Sequence, residues 1–480
     1  MGETAKKDKE LLYFIIYIAI ASLGWIIPPI APITEAGMKL LSVFIAAIIG
    51  WSVSSSVWPS LLTFALLPFT GLANLAGVMS LSWGSDTVLF MVFMMAIIAF
   101  LEATGTTAYM ASWLMSRKML EGHPWRLIFM ILLCGWALST FCGNFPGQLL
   151  TWGFIYQICD ILGYKPFDKF PNLMIFGVTI MGAISLSTLP WSMNALVILG
   201  SYTASSGVAI NAAHYAMYSL PVGFMCIFGF MLLAKFVFRL DVSDLKNFTP
   251  DAFEAKDKEL TKERKIGLIT LAVFIIVLLV PSLLPATNPI RVISDTMGLS
   301  IKGALICLVL VFIKVDGKRV FDFERMAIKG VPWNMMMMII GILSFVGLLG
   351  NPAAGISAFL ASVFTPMFQG VSPIVFMILV LVITVFMTNF MINMVVAVIM
   401  ISATVPIAVS MGIDPLQIVY LITLSCTIAF FLPAASAASC VMFANTKWVR
   451  AKDVYKYSVP TIIMMSVIAL GWNVIMFLFF

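Results

Sequence analysis

Ser-Thr-Phe-Cys-Gly-Asn-Phe at 139–145 and Thr-Val-Phe-Met-Thr-Asn-Phe at 384–390 decide how this chain is read. Each breaks an apolar segment, near 127–161 and 373–409, at its midpoint. Aligned at an offset of 245, they pair Ser139 with Thr384, Phe141 with Phe386, Asn144 with Asn389 and Phe145 with Phe390. A second pair follows at an offset of 243: Leu189-Pro190, inside Ser-Leu-Ser-Thr-Leu-Pro-Trp-Ser-Met-Asn, and Leu432-Pro433, inside Ala-Phe-Phe-Leu-Pro-Ala-Ala-Ser. A weaker third, at 250, sets Trp83 against Trp333 and Gly105 against Gly355. Self-similarity at nearly one offset marks a duplicated unit.

The rest of the sequence places that unit in lipid. Apolar residues make up 61% of the 480 and charged residues only 10%, against about 25% charged in a soluble domain. Apolar runs near 11–29, 37–53, 57–73, 86–115, 173–200, 216–238, 266–284, 299–313, 333–349, 416–444 and 456–480 give eleven expected crossings. The two broken segments are expected to be re-entrant hairpins, each ending on the side where it began. With the N-terminus inside, 25 of the 28 Lys and Arg residues fall in cytoplasmic segments, and only Lys39, Arg291 and Lys302 fall outside. That asymmetry satisfies the positive-inside rule, and a full crossing by either hairpin would destroy it. The first helix is expected to be retained, since no small-residue cleavage site follows it. The N-terminus is therefore expected in the cytoplasm and the C-terminus outside, in a multi-pass protein of the cell membrane.

Five crossings separate the hairpins, so the second copy is inverted, as in many secondary transporters. The expected fold is all-α integral membrane, with scaffold and transport subdomains. Residues 1–126 supply scaffold helices of the first repeat and 127–238 its transport elements. Residues 239–265 form a charged cytoplasmic linker, 266–349 the second scaffold and 350–480 the second set of transport elements.

The chemistry is expected at the breaks. The segments 127–159, 170–234, 330–413 and 415–446 contain no Asp, Glu, Lys or Arg, so a ligand there must be held by Asn, Ser, Thr and backbone. Broken helices supply carbonyls for a cation and helix N-termini for an anion. A bound Na⁺ would give an anion the positive partner that the side chains lack. Asp86 and Glu102 read as helix-orienting groups, Met335 to Met338 as a lipid-facing or core stripe, and the seven cysteines as packing residues. The net charge of +6 is spread over loops, which argues against nucleic acid. An intramembrane protease would need an Asp pair or a Ser with a base, and a haem subunit axial histidines; the breaks hold neither. Hydrophilic rings for a channel are also missing.

With these motifs in order, the chain resembles the divalent anion/sodium symporter family of dicarboxylate, citrate and sulfate carriers. The strongest local similarities are Ala-Phe-Phe-Leu-Pro-Ala-Ala-Ser at 429–436 and Val-Pro-Trp-Asn-Met-Met-Met-Met-Ile-Ile-Gly at 331–341. The resemblance implies an elevator-type Na⁺-coupled anion symporter that works as a homodimer with no cofactor. It implies a first Na⁺ site at Ser139, Gly143 and Asn144, and a second at Thr384, Met387, Thr388, Asn389 and Ala429. Substrate would lie against Asn144, Phe145, Asn389, Phe390, Thr188 and Ser436. The hairpin tips depart from the family's Ser-Asn-Thr: Gly143 lacks a hydroxyl, and Phe145 and Phe390 replace the Thr. The expected substrate is therefore a carboxylate or dicarboxylate anion, with room for an apolar portion. An exchanger, an H⁺-linked carrier and a non-transporting protein of the same fold are the alternatives.

Overall fold

The computed structural model of the chain describes residues 2–53, 57–208, 210–249, 259–349, 351–356, 358–359, 362, 371–433 and 435–479. Helices dominate because a chain this apolar must satisfy its backbone internally. The N-terminal half runs through α1 (Gly2–Ile26), α2 (Glu35–Val53), α3 (Trp58–Leu66), α4 (Leu75–Leu81), α5 (Asp86–Ala103) and α6 (Thr106–Met115). It continues with α7 (Pro124–Cys142), α8 (Asn144–Leu162), α9 (Lys169–Ser185), α10 (Met193–Ser206) and α11 (Ala212–Leu232). The C-terminal half contains α12 (Lys262–Leu283), α13 (Pro289–Phe312), α14 (Phe323–Gly330), α15 (Trp333–Leu349), α16 (Pro373–Thr388) and α17 (Asn393–Ser410). It closes with α18 (Pro415–Ser425), α19 (Ala437–Ala444) and α20 (Ala451–Phe479). A short β-hairpin, β1 (Lys314–Val315) with β2 (Lys318–Arg319), adds a small exception to the all-α expectation.

Helix starts follow local chemistry. Proline opens α3, α7, α13, α16 and α18, where its missing N–H costs nothing. Side chains of Ser85, Asn211, Thr261, Asn288, Ser372 and Asp414 accept from first-turn N–H groups.

The first broken segment is a hairpin. Only Gly143 separates α7 from α8, and its φ of +94° suits glycine alone among common residues. The arms touch backbone to side: a Cβ on Gly147 would fall 2.3 Å from the Ser139 amide nitrogen. Further out, the Thr151 hydroxyl sits 3.9 Å from Cys134 Sγ. In the second segment α16 and α17 flank 389–392, and the Thr388 hydroxyl lies 2.9 Å from Asn393 Oδ1 across the turn.

Several expected spans are divided. The expected 86–115 helix is α5 plus α6, parted at Thr104-Gly105. The 173–200 span ends at Ser185 and resumes at Met193, and the 416–444 span stops at Ser425 and resumes at Ala437. Both gaps fall at the Leu-Pro pairs. The 299–313 span begins earlier, at Pro289, with a kink at Gly298 (φ +63°). There the Asp86 carboxylate accepts from the Leu299 N–H at 2.8 Å and the Ser300 N–H at 2.9 Å. The 239–265 linker is shorter than expected, because α12 already starts at Lys262; its positions 250–258 lie outside the described residues.

Among the described residues, seven helices are long and apolar enough to cross a bilayer alone. They are Asp86–Ala103, Pro124–Phe141, Ala212–Val237, Lys262–Leu283, Pro289–Phe312, Asn393–Ser410 and Ala451–Phe479. The bent pair α14–α15, at 79°, could make an eighth. Five of these seven fall among the eleven expected crossings; the other two, Pro124–Phe141 and Asn393–Ser410, are arms of the segments expected to be re-entrant. Two further expected spans are split at their midpoints.

Side chains pack into two apolar cores. One draws on 111–248 and 376–476, around Phe176, Phe230, Tyr218 and Tyr420. The other draws mainly on 17–101 and 271–356, around Phe90, Phe100, Trp51 and Phe345, with Leu189, Trp191 and Met394 reaching into it from the breaks.

Close backbone approach at Gly147 should make it intolerant of even a methyl group. Gly147→Ala should destabilise by about 1–3 kcal/mol through overpacking. Gly153→Ala, on the same helix with nothing within 4 Å of its added Cβ, should be neutral or stabilising by up to about 1 kcal/mol. Thermal unfolding of both variants in detergent checks this, and equal melting temperatures would refute the close packing.

Candidate functional site

Four helix starts converge on one cavity. Gly143, Asn144 and Pro146 come from the start of α8, and Ser192, Met193 and Asn194 from the start of α10. Ile392, Asn393 and Met394 come from the start of α17, and Ser436 and Ala438 from that of α19. The cavity holds about 500 Å³. Positive ends of helix dipoles and free first-turn N–H groups make such a place favourable to an anion. Two helix ends reach the same space with the opposite polarity: Ser139, Thr140 and Phe141 from the last turn of α7, and Ser185 with Leu186 from the end of α9. The remaining wall is apolar, including Met94, Ile98, Phe274, Met335 and Met338.

Glu102, on the last turn of α5, is the one charged residue on this wall among the described residues. It also lines a second cavity of about 970 Å³ with Glu263, Asp316, Lys318, Arg319, Arg325 and Lys329. Asp316 is paired with Lys262 at 2.7 Å, so the second cavity is net basic. A basic approach of this kind raises the local concentration of anions.

Buried polar atoms around the cavity are unequally satisfied. Asn144 Oδ1, Gln148 Oε1 and Asn194 Nδ2 are buried without hydrogen-bond partners. Most buried polar groups in proteins are paired, so three orphans in one neighbourhood call for an explanation.

A family model for citrate transporters matches residues 43–425, four fifths of the chain. The chain belongs to the citrate transporter family. It is a multi-pass membrane transporter rather than an enzyme. The solved structure of the Alcanivorax borkumensis YdaH transporter, described as having an unusual topology, is similar in fold. The similarity covers 98% of this chain and 97% of that one, at 15% identity and a TM-score of 0.57. No curated protein matched.

In this citrate-family chain the two asparagines of the paired motifs have different surroundings. Asn389 is buried and fully used: its Nδ2 donates to the carbonyls of Val385 and Ile428 at 2.8 Å each, and its Oδ1 accepts from the Phe431 N–H at 3.0 Å. It ties the second hairpin to the backbone of the break between α18 and α19. Asn144 lies on the cavity wall with Oδ1 turned inward, unpartnered.

The other sequence-assigned residues divide the same way. Ser139, Gly143, Asn144 and Ser436 line the cavity. Asn389, Phe390, Thr188, Thr384, Met387, Thr388 and Ala429 do not. Thr188 accepts from Trp136 Nε1 at 2.9 Å and donates to the Ile184 carbonyl. Thr384 donates to Val380 one turn back. The Thr388 hydroxyl also lies 3.0 Å from the Cys426 carbonyl. The Met387 carbonyl accepts from Phe390 and Met391, and the Ala429 carbonyl from Ser439. Phe390 is 60% exposed and packs on Phe386. The side chain of Phe145 lies outside the described residues.

Sequence reading missed Gln148, Asn194, Asn393 and the cavity position of Glu102. Gln148 was legible in principle, since it follows Asn144 by one helical turn on the same face. Glu102 was assigned to helix orientation, and Met335 and Met338 to a lipid-facing or core stripe; all three reach the cavity because α5 and α15 flank it.

Asn389→Ala should destabilise by about 1–3 kcal/mol, because it strands the Ile428 carbonyl and the Phe431 N–H. Asn144→Ala removes an acceptor that bonds nothing and should leave ligand-free stability nearly unchanged. Thermal unfolding in choline buffer without substrate separates the two, and equal losses would contradict the asymmetry.

Proposed function

We propose that this protein is a secondary active carrier of carboxylate anions, with citrate the first substrate to test, coupled to Na⁺. The supporting observation is the meeting of four helix N-termini on a cavity walled by Asn144, Asn194, Asn393, Ser192 and Ser436. Neutral donors at helix starts suit carboxylate oxygens, and the methionine and phenylalanine wall suits a carbon skeleton. The net basic cavity that shares Glu102 would serve as the entry vestibule.

Transport would proceed by movement of the unit built on 127–238 and 350–480 against the unit built on 1–126 and 266–349. Two separate apolar cores with nearly this division support such a motion, since each unit then keeps its own packing as it moves. The α7–α8 and α16–α17 hairpins would be re-entrant, the N-terminus cytoplasmic, and the working form a homodimer in the cell membrane. Na⁺ would sit first among Ser139, Gly143 and Asn144, and a second ion near Thr384, Met387, Thr388, Asn389 and Ala429 after their present internal hydrogen bonds rearrange.

Glu102 favours a second reading, an H⁺-linked carrier. A carboxylate facing an anionic substrate must be neutralised or paired, and protonation at the mouth would do this.

Uptake of radiolabelled citrate by proteoliposomes tests both readings. An inward Na⁺ gradient should drive uptake, and Asn194→Ala should reduce it at least tenfold. Stimulation by a proton gradient alone, abolished in Glu102→Gln, would select the second reading. Uptake no faster than in empty liposomes under either gradient, with citrate, succinate and aromatic carboxylates alike, would refute carriage of carboxylates. Binding gives an independent check: an anion at 100 times its Kd should stabilise the purified protein by about 2.7 kcal/mol.

A further inference from the structure

Beside Gly182, next to the cavity wall, three side-chain oxygens come close together. A methyl carbon built on Gly182 would lie 2.8 Å from Asn144 Oδ1, 3.5 Å from Ser139 Oγ and 3.7 Å from Gln148 Oε1. Two of these, on Asn144 and Gln148, are the orphaned acceptors described above. Gln148 is fully buried. Lone pairs that converge in a buried place without any donor repel one another, and a cation is the partner that relieves this.

The orientation of the Gln148 amide is set by its neighbours. Its Nδ-equivalent, Nε2, donates to Thr179 Oγ1 at 3.1 Å. Thr179 already commits its hydroxyl proton to the Ile175 carbonyl at 2.8 Å, so its oxygen can only accept. A flipped amide would set oxygen against oxygen there. The Nε2 therefore stays on Thr179, and Oε1 stays on the Gly182 side.

We propose that Gln148 is a ligand of a monovalent alkali cation held between the first hairpin and Gly182, together with Asn144 and Ser139. This extends the Na⁺-coupled reading above and rests on it. Oxygen donors select a hard cation. All three are neutral, and among the described residues no cluster of acidic, histidine or cysteine side chains could hold a metal. Dedicated divalent sites draw on carboxylates, so the set fits Na⁺ better than Mg²⁺ or Ca²⁺. Gly143 brings no side chain to the tip, and Gln148, one turn into α8, brings the missing oxygen. A side chain on Gly182 would press on Asn144 Oδ1, 2.8 Å from its Cβ, and displace that ligand.

The position also explains coupling. Asn144 stands on the cavity wall and turns Oδ1 to the cation. Ion binding would fix that side chain and bring positive charge next to the anion. Thr179 is then a positioning residue, acting through Gln148.

The test is Na⁺ titration of thermal stability in purified protein without substrate, alongside a separate citrate titration. Gln148→Leu should raise the half-maximal Na⁺ concentration at least tenfold. Gln148→Glu should keep Na⁺ binding but make it weaken as pH falls, since protonation removes the charge, whereas wild type should show no such dependence. Thr179→Val should weaken Na⁺ binding less than Gln148→Leu does. Gly182→Ala should abolish the Na⁺ response. Gln148→Glu and Thr179→Val keep the test decisive if Gln148→Leu does not fold. An unchanged Na⁺ titration in these variants would overturn the role of Gln148 and leave Na⁺ coupling intact. A wild type that responds to citrate but not to Na⁺, Li⁺ or K⁺ would overturn the cation site and leave carboxylate carriage standing. Response to neither would overturn both.

Discussion

A backbone amide or carbonyl without a partner cannot be left in hydrocarbon. This structure interrupts its helices at 143, 186–192, 389–392 and 426–436, in the middle of apolar sequence, so everything around the breaks must compensate. Part of the compensation is internal. Asn389 ties the second hairpin to Ile428 and Phe431, Ser187 and Tyr215 bond across the first gap, and Ser219 donates to the Thr188 carbonyl. The rest is left to whatever enters the cavity. The starts of α8, α10 and α17 carry no side-chain cap, whereas Ser436 caps α19; uncapped helix N-termini favour an anion.

The two paired asparagine motifs pose this problem twice, and the two places solve it differently. In the second, every assigned polar side chain is used by the protein itself. In the first, Asn144, Gln148 and Asn194 retain unused hydrogen-bonding capacity in buried positions. A stitched break is a rigid one, while a break with vacant acceptors gains from a ligand. On the proposed reading, ligand contacts would fall mainly on the first hairpin, with the second supplying shape and the starts of α17 and α19.

Much of the fold was legible in the sequence, because its signals are strong and local. The apolar runs, the two Asn-Phe tips and the Leu-Pro pairs mark helices and breaks, and each expected break is present. What failed was continuity: 86–115 reads as one apolar run, yet Gly105 adopts φ +68° and divides it. Hydropathy cannot see that, since glycine is tolerated in membrane helices as well as at their ends. The site was half legible. The tips identified Ser139, Gly143 and Asn144, but residues brought in by packing rather than by motif, such as Glu102 and Asn194, carry no sequence signal of their own. Pairing by offset could not show the difference in surroundings, since Asn389 is hydrogen-bonded internally while Asn144 Oδ1 is not.

The charge distribution follows from the same constraint. A cavity that carries anions across a membrane has to release them, and fixed positive side chains at its centre would hold them too tightly. Here Lys318, Arg319, Arg325 and Lys329 stand at a separate cavity, and the inner wall offers helix dipoles and amides whose attraction is weaker. Glu102 lies where the two environments join. On the carrier reading proposed above, a single carboxylate there would make entry conditional on its own neutralisation, and a cation beside Asn144 would make retention conditional on a second charge. The chain would then be almost free of ionised groups at its core and still respond to charge, because the few it uses would sit at the boundary or arrive with the ligand.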